Sequence, residues 1–410
     1  MTSELIRRVA FTIGALLICR LGATIPLPGI RAEALQQLFR AEPSNWSLLL
    51  VTGGSLHRLA IFALNITPYI TAAITVQLAT IVWGRLRALQ KQGERGRQAI
   101  RKITFCLTTL LAAFQAYGVA LGIEGVRGLV ANTGGLFVFS TTVTLTGGTL
   151  VLAWLSEQIT ICGIGNGIAL ILLTTVAPGF LAPIVKVLAA SRSGIVSSNL
   201  AFGLAAAVVV ATVLVVLMER AQRRIPIIYA DRQFGESKLE NLSSHLSVKI
   251  NSAGIIPIIL ASWLLSVILA AAGFLAAQGT QWPAELADQL AIGKPLHLTL
   301  YATFVIGGTF VYTACLLDPE EISERLTQYG GTIPSVEPGE ATANYVDAVV
   351  SRTTLIGAAY LALICLLPYL LTLLAGVEFY FGGIVLLIAV CTAVDLDAQV
   401  RRQLALSREN

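Results

Sequence analysis

Ten runs of about twenty mostly apolar residues divide this chain, at 9–28, 65–84, 103–123, 137–160, 163–182, 200–218, 252–275, 297–317, 353–374 and 377–395. About twenty apolar residues in a helix cross the hydrocarbon core of a bilayer. Backbone groups in lipid must bond within their own segment, so each run predicts a transmembrane helix. Only 12% of the 410 residues are charged, against roughly 25% in soluble domains. No charge run or low-complexity linker cuts the chain, so the fold class is an all-α membrane protein in one membrane domain. The apolar run behind Arg7 and Arg8 has the outline of a signal peptide. Arg20 interrupts it and no clear small-residue cleavage site follows, so it reads as the first span.

Lys and Arg collect in cytoplasmic loops. With the N-terminus inside, twenty of the twenty-eight fall in the inside segments 1–8, 85–102, 161–162, 219–249, 318–352 and the tail, and seven fall outside. Both termini are therefore expected in the cytoplasm. The inside loop "RLRALQKQGERGRQAIRK" is a basic patch, which serves equally as a topology anchor or a docking surface. The 219–249 loop carries Arg220, Arg223, Arg224, Arg232, Lys238 and Lys249. The 318–352 loop is acidic, with Asp318, Glu320, Glu321, Glu324, Glu337, Glu340 and Asp347 against Arg325 and Arg352. Outside, "NWSLLLVTGGSLHRL" is too short to span, and Gly53 and Gly54 interrupt it. A re-entrant segment and an amphipathic surface loop both fit these residues.

Ion-coupled transporters keep ionisable residues within their spans. Here Arg20 is the one ionisable residue well inside a run, while Glu157, His297, Glu378 and Asp395 lie near ends. That disfavours a proton- or sodium-driven pump, and equally an intramembrane protease. The histidines, His57, His245 and His297, lack ligand spacing, and Cys19, Cys106, Cys162, Cys315, Cys365 and Cys391 contain no C-x-x-C. The cysteines read as small buried apolar residues, with no metal or cofactor site expected.

One run is peculiar. "FALNITPYITAAITVQLATIVW", 62–83, places Thr67, Thr71 and Thr75 in one stripe and Ile66, Ile70 and Ile74 in the stripe beside it. A mildly polar face beside a smooth apolar one is odd for a helix that meets only lipid. The apolar stripe either packs on another helix or closes a passage by dewetting.

Motifs in order along almost the whole chain resemble the SecY family, the channel subunits of the bacterial protein translocase. They include "IRRVAFTIGALLICRLGATIPLPGI", "GGSLHRLAIFALNITPYITAAITVQL", "WLSEQITICGIGNGIALIL", "ERAQRRIPIIYADRQ", "SHLSVKINSAGIIP", "PGEATANYVDAVVSRTTLIGAAYLALICLLP" and "FYFGGIVLLIAVCTAVDLDAQV". The resemblance implies ten transmembrane helices in two pseudo-symmetric halves of five around a central pore. The halves are 1–182 and 200–410, joined by an external hinge loop at 183–199. It implies a pore ring at Ile66, Ile70, Ile168, Leu172, Ile259 and Ile388. A plug falls on about 46–58, with Leu48, Leu49, Leu50, Val51, Gly53 and Gly54. A lateral gate between the second and seventh spans takes Thr67, Thr71, Thr75, Gln77 and Asn251. Docking surfaces for a motor or ribosome fall on Arg223, Arg224, Arg232, Glu337, Pro338 and Gly339. Implied partners are SecE-like and SecG-like small membrane subunits, a SecA-type motor ATPase, the ribosome, preprotein signal sequences, lipid and a YidC-type insertase. The implied place is the bacterial cytoplasmic (inner) membrane, and the implied activity is conduction without chemistry.

Some positions depart from the family pattern. Glu337 stands where the family usually has an arginine before "PGE", and Asp231 and Glu236 stand where it tends to be basic. The "SEQITICG" turn lacks the usual charge after "EQIT". RNA phosphate is bound by Lys and Arg, and acids repel it. The residues thus leave open a housekeeping channel, an accessory channel with a dedicated motor or substrate set, and a solute transporter on a related scaffold.

Overall fold

A computed structural model describes residues 2–31, 34, 59–90, 92–125, 128–192, 197–229, 245–277, 281–291, 293–375 and 383–409. The chain forms two compact units, Met1–Val208 with Pro368–Asn410, and Val209–Leu367. The elements in chain order are α1 Thr2–Gly22, α2 Thr67–Val82, α3 Gly84–Gln90, α4 Glu94–Glu124, α5 Gly135–Cys162, α6 Gly167–Arg192 and α7 Ser198–Arg220. Strands β1 Gln222–Pro226, β2 Ile228–Tyr229 and β3 His245–Lys249 follow. Then come α8 Ile256–Ala277, α9 Gln281–Gln289, α10 Pro295–Leu316, α11 Pro319–Gln328, β4 Gly331–Thr332, α12 Glu340–Ala375 and α13 Gly383–Glu409. Each of the ten apolar runs overlaps a helix in its described residues. Among the described residues six helices are long and apolar enough to cross a membrane, or seven if α2 and α3 count as one bent span.

Three boundaries differ from the hydropathy reading. α1 stops at Gly22 rather than 28, because Pro26 and Pro28 follow and 23–31 folds into turns and two isolated bridges. It pairs with other loops instead: Leu27 N–H donates to the Leu59 carbonyl at 2.8 Å and Arg31 N–H to that of Leu129 at 3.0 Å. Arg20 thereby lies in the last turn of α1, where a cation meets the negative helix end, rather than deep within a span. The inside loop 85–102 is helical, forming α3 and the start of α4. The acidic loop 318–352 holds α11, β4 and the first turns of α12.

In the first unit α4 turns Gly96, Thr104, Thr108, Ala112, Ala116 and Ala120 inward, mostly four residues apart, and packs on α2 and α5. Small side chains let helices approach closely where lipid offers no hydrophobic drive. Leu27, Leu59, Ala63, Ala116, Ile123, Leu129, Val130, Phe137 and Leu145 form a buried apolar cluster in this unit. The six cysteines are free, but only Cys19, Cys365 and Cys391 are buried; Cys106 and Cys162 are exposed. The expectation of uniformly buried cysteines fails because a span's outer face needs only to be apolar, and Cys meets that condition.

Candidate pore segment and cytoplasmic docking surface

The segment that leads into α2 is tightly specified. Asn65 adopts φ +55°, a left-handed conformation that Asn tolerates better than other side-chain residues. Ile66 caps α2 and Pro68 sits in its first turn, where a missing N–H costs nothing. Ile66 is fully buried, with Ile70 and Ile388 nearly so, and Ile168, Leu172 and Ile259 half-buried. Ile168 and Leu172 lie on α6, which packs against α13 bearing Ile388; α2 packs on α4 and α5. Ile259 lies in the first turn of α8, in the second unit.

The "GIGNG" turn that launches α6 has its donors satisfied by side chains from three elements. Ile164 N–H donates to Thr12 Oγ1 at 3.0 Å, Gly165 N–H to Gln399 Oε1 at 2.8 Å, and Gly167 N–H to Thr160 Oγ1 at 2.9 Å. Asn166 Oδ1 accepts from Ile168 N–H at 3.0 Å, an N-cap bond. A Cβ on Gly167 would stand 1.9 Å from the Ser156 carbonyl oxygen, so only glycine fits. Thr12 and Gln399 were not singled out from sequence. A polar side chain within an apolar run or helical tail was the signal available.

The threonine stripe holds a different character from its sequence reading. Thr71 is buried and donates to the Thr67 carbonyl at 3.0 Å; Thr75 donates to that of Thr71 at 2.8 Å. Thr75 is exposed, while Thr67 and Gln77 are half-buried. The hydroxyl protons are thus spent on the helix's own carbonyls. Asn251 is buried in the turn before α8.

On the second unit, β1 pairs antiparallel with β3, and β2 with β4. The 219–249 and 318–352 loops are therefore joined by strand pairing. Their core is Ile225, Ile227, Val248, Leu326, Ile333, Val346 and Val350. Arg223 and Arg224 project from β1, exposed. Asp318 caps α11, its carboxylate accepting from Glu320 and Glu321 N–H, and Arg325 pairs with Glu321 at 2.6 Å. The "EPGE" turn is stapled: Ser323 Oγ donates to the Gly339 carbonyl at 2.7 Å and Thr342 Oγ1 to that of Glu337 at 2.8 Å. Gly339 takes φ +99°, and Glu337 and Pro338 are exposed. Part of the basic patch near α4 is engaged locally, Arg97 with Glu94 at 3.3 Å and Arg101 with Glu157 at 3.7 Å. The plug positions Leu48, Leu49, Leu50, Val51, Gly53 and Gly54, and Arg232, lie outside the described residues.

Six long apolar helices among the described residues, or seven if α2 and α3 count as one bent span, define the class of multi-pass membrane protein. Comparison with known proteins specifies it. The SecY family profile matches residues 60–396. The chain is 41% identical over 407 residues to the protein translocase subunit SecY of Escherichia coli K12, covering 97% of this chain and 91% of that one. It is 40% identical over 409 residues to SecY of Vibrio cholerae, covering 98% and 92%. Among solved structures it superposes on a protein-conducting channel with TM-score 0.70 at 17% identity, covering 97% and 92%. It superposes on Sec61 in the canine ribosome–channel complex with TM-score 0.67 at 16% identity, covering 97% and 92%. The chain belongs to the SecY family.

Proposed function

We propose that the chain is the central channel subunit of a Sec translocon, passing unfolded preproteins across the membrane and releasing signal sequences or transmembrane helices sideways into lipid. The observation that carries this reading is identity to SecY subunits over nearly the whole chain. Ile66, Ile70, Ile168, Leu172, Ile259 and Ile388 form the ring. Branched apolar side chains close around a moving chain without offering it hydrogen bonds or charge, and in its absence they exclude water. Residues 46–58 plug the passage, and α2 and α8 border the gate with Thr67, Thr71, Thr75, Gln77 and Asn251. The chain itself performs no chemistry; a SecA-type motor, the ribosome or the membrane potential supplies the work. SecE-like and SecG-like subunits and a YidC-type insertase complete the assembly in a bacterial inner membrane, with both termini cytoplasmic. Halves 1–182 and 200–410, hinged at 183–199, clasp the pore.

The test is ion conductance of reconstituted vesicles. Replacing Ile66, Ile70 and Ile259 with Gly or Ser admits water and leaks ions; a triple variant as tight as wild type sinks the ring. Complementation of a SecY-depleted bacterium then separates a housekeeping channel from a second reading, an accessory channel, which Glu337 specifically favours. A solute transporter is the weakest alternative, because no acid lies deep within the apolar runs.

A further inference from the structure

A carboxylate that conduction does not use sits beside the start of α8. Asn251 shapes the turn before that helix. Its Oδ1 accepts from Gly254 N–H at 3.0 Å and its Nδ2 donates to the Gly254 carbonyl at 3.4 Å, with Gly254 at φ +62°. The same Nδ2 donates to Glu219 Oε1, in the last turn of α7, at 2.6 Å. Tyr360, buried on α12, donates its hydroxyl to that oxygen at 3.3 Å. One turn earlier on α12, Gly357 lies so close that a Cβ would stand 2.6 Å from the Ile250 carbonyl oxygen. Three elements of one unit therefore converge on a single carboxylate oxygen. A turn alone does not require this. A half-buried carboxylate costs desolvation unless donors compensate it, and the two donors here are themselves buried and need an acceptor.

We propose that Glu219 is a positioning residue of the channel: it pins the inner end of α8 to α7 and α12 and holds Ile259, in the first turn of α8, at its resting place. Entry of a signal helix then begins by breaking this clamp. The proposal rests on the reading of Ile259 as a ring member and α8 as a gate helix.

The test uses vesicles reconstituted with the channel and its small subunits. Two quantities are read: ion leak without substrate, and motor-driven uptake of a preprotein with an intact or a disabled signal sequence. Loss of a hydrogen bond to a charged acceptor moves an equilibrium by roughly tenfold or more. Glu219→Ala is expected to raise leak about tenfold and to raise uptake of the disabled preprotein relative to the intact one. Glu219→Gln keeps the acceptor oxygen and stays within about twofold of wild type, and Tyr360→Phe, losing one donor, gives about threefold. Asn251→Asp sets carboxylate against carboxylate and leaks; adding Glu219→Gln reverses the bond, Gln Nε2 donating to the new carboxylate, and restores the seal. A purely structural role lowers yield in the single variants without leak and without rescue. The clamp is overturned if well-assembled Glu219→Ala is as tight as wild type, or if the double variant leaks like Asn251→Asp alone. Should Glu219→Ala not assemble, Asn251→Asp and its rescue decide. A tight Ile66, Ile70, Ile259 triple variant overturns the channel reading instead, so the two failures are distinct.

Discussion

The spans and the polar head built around β1–β4 and α11 dispose of their hydroxyl groups differently. In the spans many threonines bond back to a carbonyl one turn earlier: Thr71 to Thr67, Thr104 to Ile100, Thr142 to Val138, Thr309 to Val305. In the head Thr327 bonds back in the same way, but other bonds reach across the chain: Ser323 to Gly339, and Thr332 to Ile228, 104 residues away. Lipid offers no acceptor, so a side-chain donor there is spent locally. In water a donor is free to tie distant segments together. A threonine stripe in a span is therefore weaker evidence of a wet face than the same stripe in a soluble helix.

The comparison breaks most severely where backbone packing is tight. Gly167→Val places carbon against the Ser156 carbonyl, 1.9 Å from the ideal Cβ. The α5–α6 turn cannot close, and membrane yield of assembled protein is expected to fall to background. Gly118→Ala, with nothing within 4 Å of its Cβ, should leave yield unchanged or raise it. Equal yields for the two would mean that the turn has another conformation.

Next in size is the head. Ile225 is 1% exposed, and truncating such a residue costs about 2–5 kcal/mol. Ile225→Ala is expected to abolish motor-driven translocation while the resting ion seal stays intact. A leak in this variant would show that the head and the spans are not independent. A smaller effect sharpens the hydroxyl argument. Thr108 is fully buried and donates to its own helix, at the Thr104 carbonyl, 2.7 Å away. Thr108→Val is expected to shift stability by less than about 0.6 kcal/mol, the scale of such bonds within membranes. Ser323→Ala removes a cross-chain staple and should cost about 1 kcal/mol, read as a lowered melting temperature. A larger loss for Thr108→Val than for Ser323→Ala would reverse the lesson.

These contrasts track what the sequence made legible. Apolar runs announced the helices that are long and apolar enough to span among the described residues, because lipid imposes a local rule. The end of α1 was marked by Gly22, Pro26 and Pro28, yet a hydropathy window averaged over them. The α11 cap was present as Asp318-Pro319-Glu320-Glu321 and read only as charge. The pairing of β2 with β4 joins residues about a hundred apart and left no local trace. Glu219 and Tyr360 escaped for the same reason, since their bonds lie 32 and 141 residues distant. The ring positions came from family resemblance, because burial of Ile66 and of a lipid-facing isoleucine obey one pattern.

A last, modest effect is expected at Glu337, on the exposed turn of the head. Its carboxylate is exposed, while its carbonyl is held by Thr342, so the turn survives a change of side chain. The family pattern expects a base here, and this head presents Glu320, Glu321 and Glu324 nearby in sequence. Exposed charge contributes about 0–1 kcal/mol per contact and is screened by salt, so the effect is several-fold rather than all-or-none. Glu337→Arg is expected to raise motor-driven translocation with a standard SecA about threefold at low salt, and to lower it with the native motor. Both differences should shrink as salt rises, because screening removes them. The measurement is preprotein uptake into reconstituted vesicles, wild type against Glu337→Arg, with each motor at two ionic strengths. If wild type couples to the standard motor as well as an ordinary SecY does, and the variant gains nothing at low salt, the head has no altered partner. The acid at 337 is then a tolerated exchange on a surface whose docking depends on Arg223 and Arg224.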